Sequence, residues 1–241
     1  MRSKIHVITR RELNSYFDSL MAYIMIVVFL GFTGFFTWLY GSDVFFVGQA
    51  SMGSFFGIAY WTLFFFIPAL TMKQIAEERK TGTIELLLTK SVTDWQVIVG
   101  KFLSTFYLIL IALTLTIPYY ITIAKLGPVD HGAVWCGYLG LMLMSAAYIS
   151  IGIMCSSVTH NQIVAFILSL LVGILFQILF GMMSAGFSGI FGEVFHYLDL
   201  RSHYDAVTRG VIDTKDIIYF LTIPLFALTA AETALASRKV N

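Results

Sequence analysis

Apolar residues run through this chain in long blocks rather than in alternation. Residues 21–40, 55–72, 97–124, 134–155, 163–183 and 217–234 each supply close to a membrane's thickness of hydrophobic positions. About 20 such residues at 1.5 Å rise cross a hydrocarbon core of roughly 30 Å, so each block predicts one spanning helix. Phe55 to Met72 and Phe102 to Ala124 contain no charged residue, and neither does the stretch between Asp130 and Glu193. That last stretch is too long for one crossing. Its polar interruption at Ser156-Ser157-Val158-Thr159-His160-Asn161-Gln162 divides it into the fourth and fifth spans. Pro68 predicts a local kink near the end of the second span, and Pro118 lies toward the far end of the third.

The polar interruptions carry the remaining pattern. In residues 1–20, Ile5, Ile8, Leu13, Tyr16 and Leu20 share one arc of a 3.6-residue helix, with Lys4, Arg10, Arg11 and Asn14 mostly elsewhere. This predicts a helix lying in the membrane interface with its basic side toward headgroups. Between the second and third spans, residues 73–96 hold the densest charge in the chain, Glu77-Glu78-Arg79-Lys80-Thr81-Gly82-Thr83-Ile84-Glu85-Leu86-Leu87-Leu88. Lys73 to Lys80 is expected to prolong the second helix into water, with Gly82 as the left-handed residue that ends it. Ile84 to Leu88 reads as a short second helix. Thr93-Asp94-Trp95-Gln96 is a capping box that starts the next helix. Residues 184–216 form the last break: a glycine-rich stretch (Gly186, Gly189, Gly192) expected to make short re-entrant helices, followed by a polar segment from Glu193 to Asp216.

Composition agrees with a single membrane domain over 1–241. The chain is 58% hydrophobic and 12% charged, against about 25% charged in a soluble domain, and its mean hydropathy is +0.83. Net charge is +1, so distribution says more than sum. Six spans put both termini on one side with the 73–96 island, and that side holds eleven of the fifteen Lys and Arg. The positive-inside rule makes it cytoplasmic. No cleavable leader is read before the first span. Cys136 and Cys155 lie 19 positions apart on one span, roughly 28 Å along a helix, and cannot bridge each other.

No span has an Asp, Glu, Lys or Arg in its interior, which argues against an ion-coupled carrier with a proton relay. Nor is there a Gly-x-x-x-x-Gly-Lys-Ser/Thr loop, a His-Glu-x-x-His or a Gly-x-Ser-x-Gly, so the chain carries neither a phosphate-binding loop nor a hydrolase signature of its own. His196 and His203 near Asp199 and Asp205 admit a metal site, but helix capping is the simpler role. Met142, Met144, Met182 and Met183 read as packing residues. Thr33, Thr37, Ser169, Gly173 and Gln177, with Gly31 and Gly34, are the polar and small positions from which a dimer seam or a pathway lining would be built; bonding between helices is their alternative role.

A basic amphipathic N-terminal helix, six spans, and Glu-Glu-Arg-Lys-x-Gly-Thr-x-Glu-x-Leu-Leu between the second and third resemble the ABC-2 type transporter permease family. Arg11-Glu12-Leu13-Asn14-Ser15-Tyr16-Phe17 and Arg209-Gly210-Val211-Ile212-Asp213 carry a narrower similarity, to gliding-motility-associated ABC permease subunits of Bacteroidota. The resemblance implies an all-α, type V exporter-like membrane protein with an elbow helix at 1–20, a cytoplasmic coupling helix and short re-entrant outer helices. It implies a bacterial inner-membrane assembly of two permease chains, the second the same or different, and two copies of a separate ABC ATPase that brings ATP and magnesium. This chain would bind no cofactor and catalyse nothing itself. Glu77, Glu78, Arg79, Lys80, Gly82, Thr83, Glu85, Leu86, Leu87 and Leu88 would then contact the ATPase. Long outer domains are missing, so the cargo is open. The assembly exports a substrate or transmits ATP-driven motion to an outer or periplasmic protein, in gliding motility or secretion. The competing reading is a non-transport membrane scaffold anchoring such a machine.

Overall fold

The computed structural model describes residues 4–40, 48, 50–83, 92–210 and 212–237. All regular structure among them is helical. The helices are α1 (Lys4–Asp18), α2 (Met21–Trp38), α3 (Gly53–Thr71), α4 (Ala76–Lys80), α5 (Asp94–Thr114), α6 (Ile117–Leu126), α7 (His131–Ser157), α8 (Gln162–Ile174), α9 (Phe180–Gly186), α10 (Ile190–Leu198), α11 (Leu200–Thr208) and α12 (Thr214–Ala236). Six helical stretches are long and apolar enough to cross a membrane: Met21–Trp38, Gly53–Lys80, Asp94–Leu126, His131–Ser157, Gln162–Gly186 and Thr214–Ala236. Each expected span falls on one of them. The Ile84–Leu88 helix, Glu85 to Leu88, most of 41–54 and the basic pair Arg238 and Lys239 lie outside the described residues.

The spans are not equivalent. The fourth has 72% of its apolar window buried, the second and third 56% each, but the first, fifth and sixth only 28%, 22% and 28%. Helices α3, α5 and α7 therefore form the centre, and α2, α8 and α12 surround it. In lipid there is no hydrophobic drive between helices, so close approach and satisfied polar groups must hold the centre together. Close approach is visible along α7. A Cβ on Gly152 would lie 2.0 Å from Oγ1 of Thr71, and one on Gly137 would lie 2.4 Å from the Phe56 ring. Aromatic pairs fill the rest of the seam, with Phe56 against Tyr138 at 5.5 Å and Phe64 against Tyr148 at 5.4 Å.

Local sequence explains most boundaries. Thr93 and Gln96 form the expected capping box at the start of α5. Asp130, Asn161 and Asp213 cap α7, α8 and α12, each through one side-chain oxygen that accepts a backbone N–H. The third span is interrupted at Leu115–Thr116, and Pro118 sits in the first turn of α6, where a missing N–H costs nothing. Two expectations change. The segment after Glu193 is polar but largely helical, as α10 and α11, with Asp199 capping α11 through the Arg201 N–H. Leu20 does not continue the apolar arc of α1. It has φ of +57° and is 67% exposed, making the bend between α1 and α2.

The Gly152–Thr71 approach generates a stability test. Gly152→Ala overfills this crossing and is expected to lower the midpoint of thermal unfolding in detergent, by about 1–3 kcal/mol of stability. Thr71→Ala in the same chain should restore part of the loss, because it removes the nearest atom. Equal midpoints for wild type and Gly152→Ala would contradict the packing.

Candidate functional site

Call the end of the bundle that carries α1, α4, the start of α5 and the end of α7 the base. Here the four-residue turn 72–75 interrupts the helix expected to run on from the second span and leads into α4, a helix of only five residues. A helix that short does not persist alone. It has no capping side chain of its own. Instead Ser156 of α7 reaches across: its Oγ accepts from the N–H groups of Ile75 (3.1 Å) and Ala76 (3.0 Å) and donates to the Met72 carbonyl (3.0 Å). Arg79 donates to the Ser157 carbonyl. Gly82, with φ of +69°, ends the helix in the left-handed conformation expected of it.

Lys101 is the centre of the site. It lies in the second turn of α5, and its side chain is 1% exposed. Its ammonium meets Glu78 Oε1 of α4 at 2.8 Å and Glu12 Oε2 of α1 at 3.4 Å. Arg11, half exposed, pairs with Glu12 and lies 3.9 Å from Glu78 Oε1. A buried ammonium is tolerable only with partners of this kind, since desolvation otherwise outweighs its attractions. Burial works to raise the pKa of Glu12, but Lys101 and Arg11 outweigh it and hold the carboxyl below its ordinary range.

One turn deeper, Tyr16 of α1 extends the network. Its hydroxyl donates to the Leu70 carbonyl at 3.2 Å and lies 3.1 Å from Thr105 Oγ1. Gln74, in the turn between α3 and α4, donates from Nε2 to Tyr16 (2.7 Å), to Thr105 and to the Lys101 carbonyl (3.4 Å). Burial pushes the Tyr16 phenol up to about 12, against the hydrogen bonds from Thr105 and Gln74, so it remains protonated. The backbone of α1 can come this near because residue 100 is glycine: a Cβ there would lie 2.6 Å from Cγ2 of Ile8. Ile8 and Tyr16 are accordingly buried. The apolar arc of α1 rests partly on α5, not only on lipid as its sequence implies.

The expected contact residues therefore divide. Glu77, Lys80, Thr81, Gly82 and Thr83 are exposed, while Glu78 and Arg79 turn toward the protein. Lys101, Ser156 and Gln74 belong to the site, and the sequence reading missed them. The seam residues also turn inward. Thr33 and Thr37 are fully buried and bond to the carbonyls of Phe29 and Thr33, one turn back in their own helix. Ser169 bonds to Ala165 in the same manner. A Cβ on Gly173 would meet Phe64 at 2.8 Å. Gln177 is buried and accepts from Tyr148; it sits on a single π-helical turn, Leu175–Leu179, that no sequence signal marked. The outward faces of α2 and α8 carry Ile24, Val27, Phe32, Ile163, Ile167 and Leu171.

At the opposite end, the crown, His203 bonds through both ring nitrogens, to Asp216 Oδ1 at 2.6 Å and to the Tyr197 carbonyl at 2.9 Å, and stacks on Tyr219. Asp199 is a cap whose pKa burial raises against the Arg201 and Ser202 backbone bonds. Among the described residues no group of three or more His, Cys, Asp or Glu side chains is arranged to hold a metal ion.

This is a multi-pass helical membrane protein whose most ordered polar chemistry sits at one end of the bundle, around a short helix. The family model described as "ABC-2 family transporter protein" matches residues 42–237, and the chain belongs to that family. The match includes α4 and all spans but the first. No curated protein matches the chain.

The clamp makes acid stability a readout. Because the folded pKa of Glu12 lies below its ordinary value of 4.5, its contribution to stability is complete above that value. It is lost as pH falls through the lowered folded value. Glu12→Gln should flatten this acid limb of the thermal midpoint. Lys101→Met, which removes the buried cation between two carboxylates and leaves them only the half-exposed Arg11, should cost about 3 kcal/mol at neutral pH. An unchanged midpoint in Lys101→Met would contradict the clamp.

Proposed function

We propose that the chain is the transmembrane permease subunit of an ABC-2 type ABC transporter driven by a separate ATPase. The observation that carries this reading is a short charged helix bound firmly to the core on one side and open on the other. Ser156 and Lys101 fix α4 against α7 and α5. Glu77, Lys80, Thr81 and Thr83 face outward. A rigid, charged, solvent-facing element of this kind suits docking, with charge setting orientation and the apolar run Leu86-Leu87-Leu88 supplying burial in a groove of the ATPase. ATP and magnesium belong to that ATPase, which performs the hydrolysis. The assembly contains two permease and two ATPase chains. It exports a substrate or passes ATP-driven motion to a partner beyond the membrane, and the narrower resemblance points to gliding motility or secretion.

The same reading orients the protein in a bacterial inner membrane with both termini and the base in the cytoplasm. Eleven of the fifteen Lys and Arg fall on that side. Thiols introduced at Gly127 and Arg201 should react with an impermeant reagent added outside intact cells. Those at Thr81 and Lys239 should react only after permeabilisation. Outside labelling at position 81 reverses the orientation.

Docking is tested at the exposed positions. Glu78 is part of the internal clamp, so reversing it would disturb folding and docking together. Glu77→Lys reverses an exposed charge at the mouth of the cleft beside Glu78 without touching the Lys101 clamp. Gly82→Val forces a β-branched residue into a left-handed conformation and redirects the chain beyond it. Both variants should insert and accumulate near normally, and both should lower the ATPase recovered with the tagged permease in mild detergent by about tenfold, as for loss of one charge-assisted contact. If both retain full assembly and full vanadate-sensitive hydrolysis, the island only sets topology and the scaffold reading stands.

A further inference from the structure

Two buried acceptors at the base have no donor among the described residues. A cleft of about 270 Å³ opens between α1, α4 and α5, and its lining includes Glu12, Tyr16, Lys73, Gln74, Glu78 and Lys101. Oε1 of Gln74 and Oε2 of Glu78 are both buried and without a hydrogen-bond partner. Gln74 is only 5% exposed. Its orientation is set by chemistry: Nε2 faces the Lys101 carbonyl, which can only accept, so Oε1 is the end left over. An unmet buried acceptor is costly, and buried polar side chains in folded proteins are nearly always paired.

We propose that this cleft is a socket for one basic side chain, a lysine ammonium or arginine guanidinium, presented by the partner ATPase. The proposal rests on the coupling reading above. The donors already present are engaged or turned elsewhere. Lys101 serves Glu12 and Glu78, and the Lys73 ammonium lies over the Tyr16 ring, 5.8 Å from its centroid. What enters must therefore donate, and because one acceptor is a carboxylate oxygen, a cationic donor gains most. A phosphate or carboxylate would meet acceptors it cannot satisfy. Among the described residues no three carboxylate, imidazole or thiol side chains are arranged to hold a metal ion. The space also exceeds the roughly 30 Å³ that one water takes up in the liquid, which suits a long side chain. Seated there, the cation would touch Glu78 from the side opposite Lys101, so the carboxylate that fixes α4 internally would also hold the ATPase.

Residues 74 and 83 give the test, with the tagged permease and its co-purifying ATPase in mild detergent. Gln74→Lys places an ammonium in the cleft from within and should reduce the recovered ATPase about tenfold at roughly 0.15 M salt. Thr83→Glu, at an exposed residue of the same lining, adds a carboxylate without disturbing the bonds that Gln74 makes within the chain. It should keep the ATPase bound to higher salt than the wild type does, a gain that misfolding cannot produce. If the wild type recovers the ATPase and Thr83→Glu leaves the salt dependence unchanged or weaker, the socket is wrong while the coupling reading stands. If the wild type recovers no ATPase, the coupling reading fails and the socket with it.

Discussion

The ammonium of Lys101 must be neutralised where it lies, and no residue of its own helix does so. Its partners come from α1 and from α4. This single requirement fixes the relative placement of three elements that sequence separates widely. It draws α1 down onto α5, where Gly100 leaves room for Ile8. It also orients α4 so that Glu78 points inward, which leaves Glu77 and Lys80 pointing out. Breaking such a buried pair from one side is far more costly than the net worth of the pair, so the arrangement is enforced by the penalty for leaving it.

The clamp also determines where a force applied to α4 would go. Its attachments are Lys101 on α5, Ser156 and Ser157 on α7, and the continuous chain through Gln74 into α3. Those are the three central spans. None of the described attachments runs to α2 or α12. A displacement of α4 thus loads the part of the bundle with the closest packing, where a gap of even a methyl group is resisted. The peripheral helices lie outside that path. Their hydroxyls, like those of Thr71, Ser104 and Ser150 in the central helices, bond to carbonyls of their own helix, as Thr33, Thr37 and Ser169 do, and their outward faces are apolar.

Sequence patterning made the spans legible because membrane thickness imposes one length on every crossing, and apolar blocks of that length have few alternatives. Thr93-x-x-Gln96 and Gly82 were legible because their signals are local: one needs only a reach of three residues, the other only the freedom of a missing Cβ. Lys101 was not. Read along the chain it is one more basic residue near a span's end, useful only for orientation. Whether it is solvated or buried depends on two carboxylates 89 and 23 residues away. Ser156 hid for the same reason, as a polar residue in what looks like a plain turn. The inward rotation of Thr33, Thr37 and Gln177 was equally invisible, since a helix with apolar residues all round has no moment to reveal which side faces protein. In α11 the helix was not foreseen in what read only as a polar segment, although Asp199 supplies a sound N-cap.

The base and the crown are joined by the same helices that meet the clamp. At the base, α7 presents Ser156 to α4. Toward the crown it passes beneath α11, where a Cβ on Gly140 would lie 3.3 Å from the Tyr204 ring. Helix α3 runs alongside, with Leu70 bonded to Tyr16 near the base and Tyr60 against Tyr204, rings 4.5 Å apart, near the crown. Tyr204 also donates to the Phe56 carbonyl at 3.4 Å. Helix α11 is therefore seated on both central helices and tied through His203 to Asp216 of the last span. A contiguous run of packed side chains leads from α4 to α11. With no Asp, Glu, Lys or Arg midway through the spans, it is the packing of α3 and α7 that joins the base to the crown.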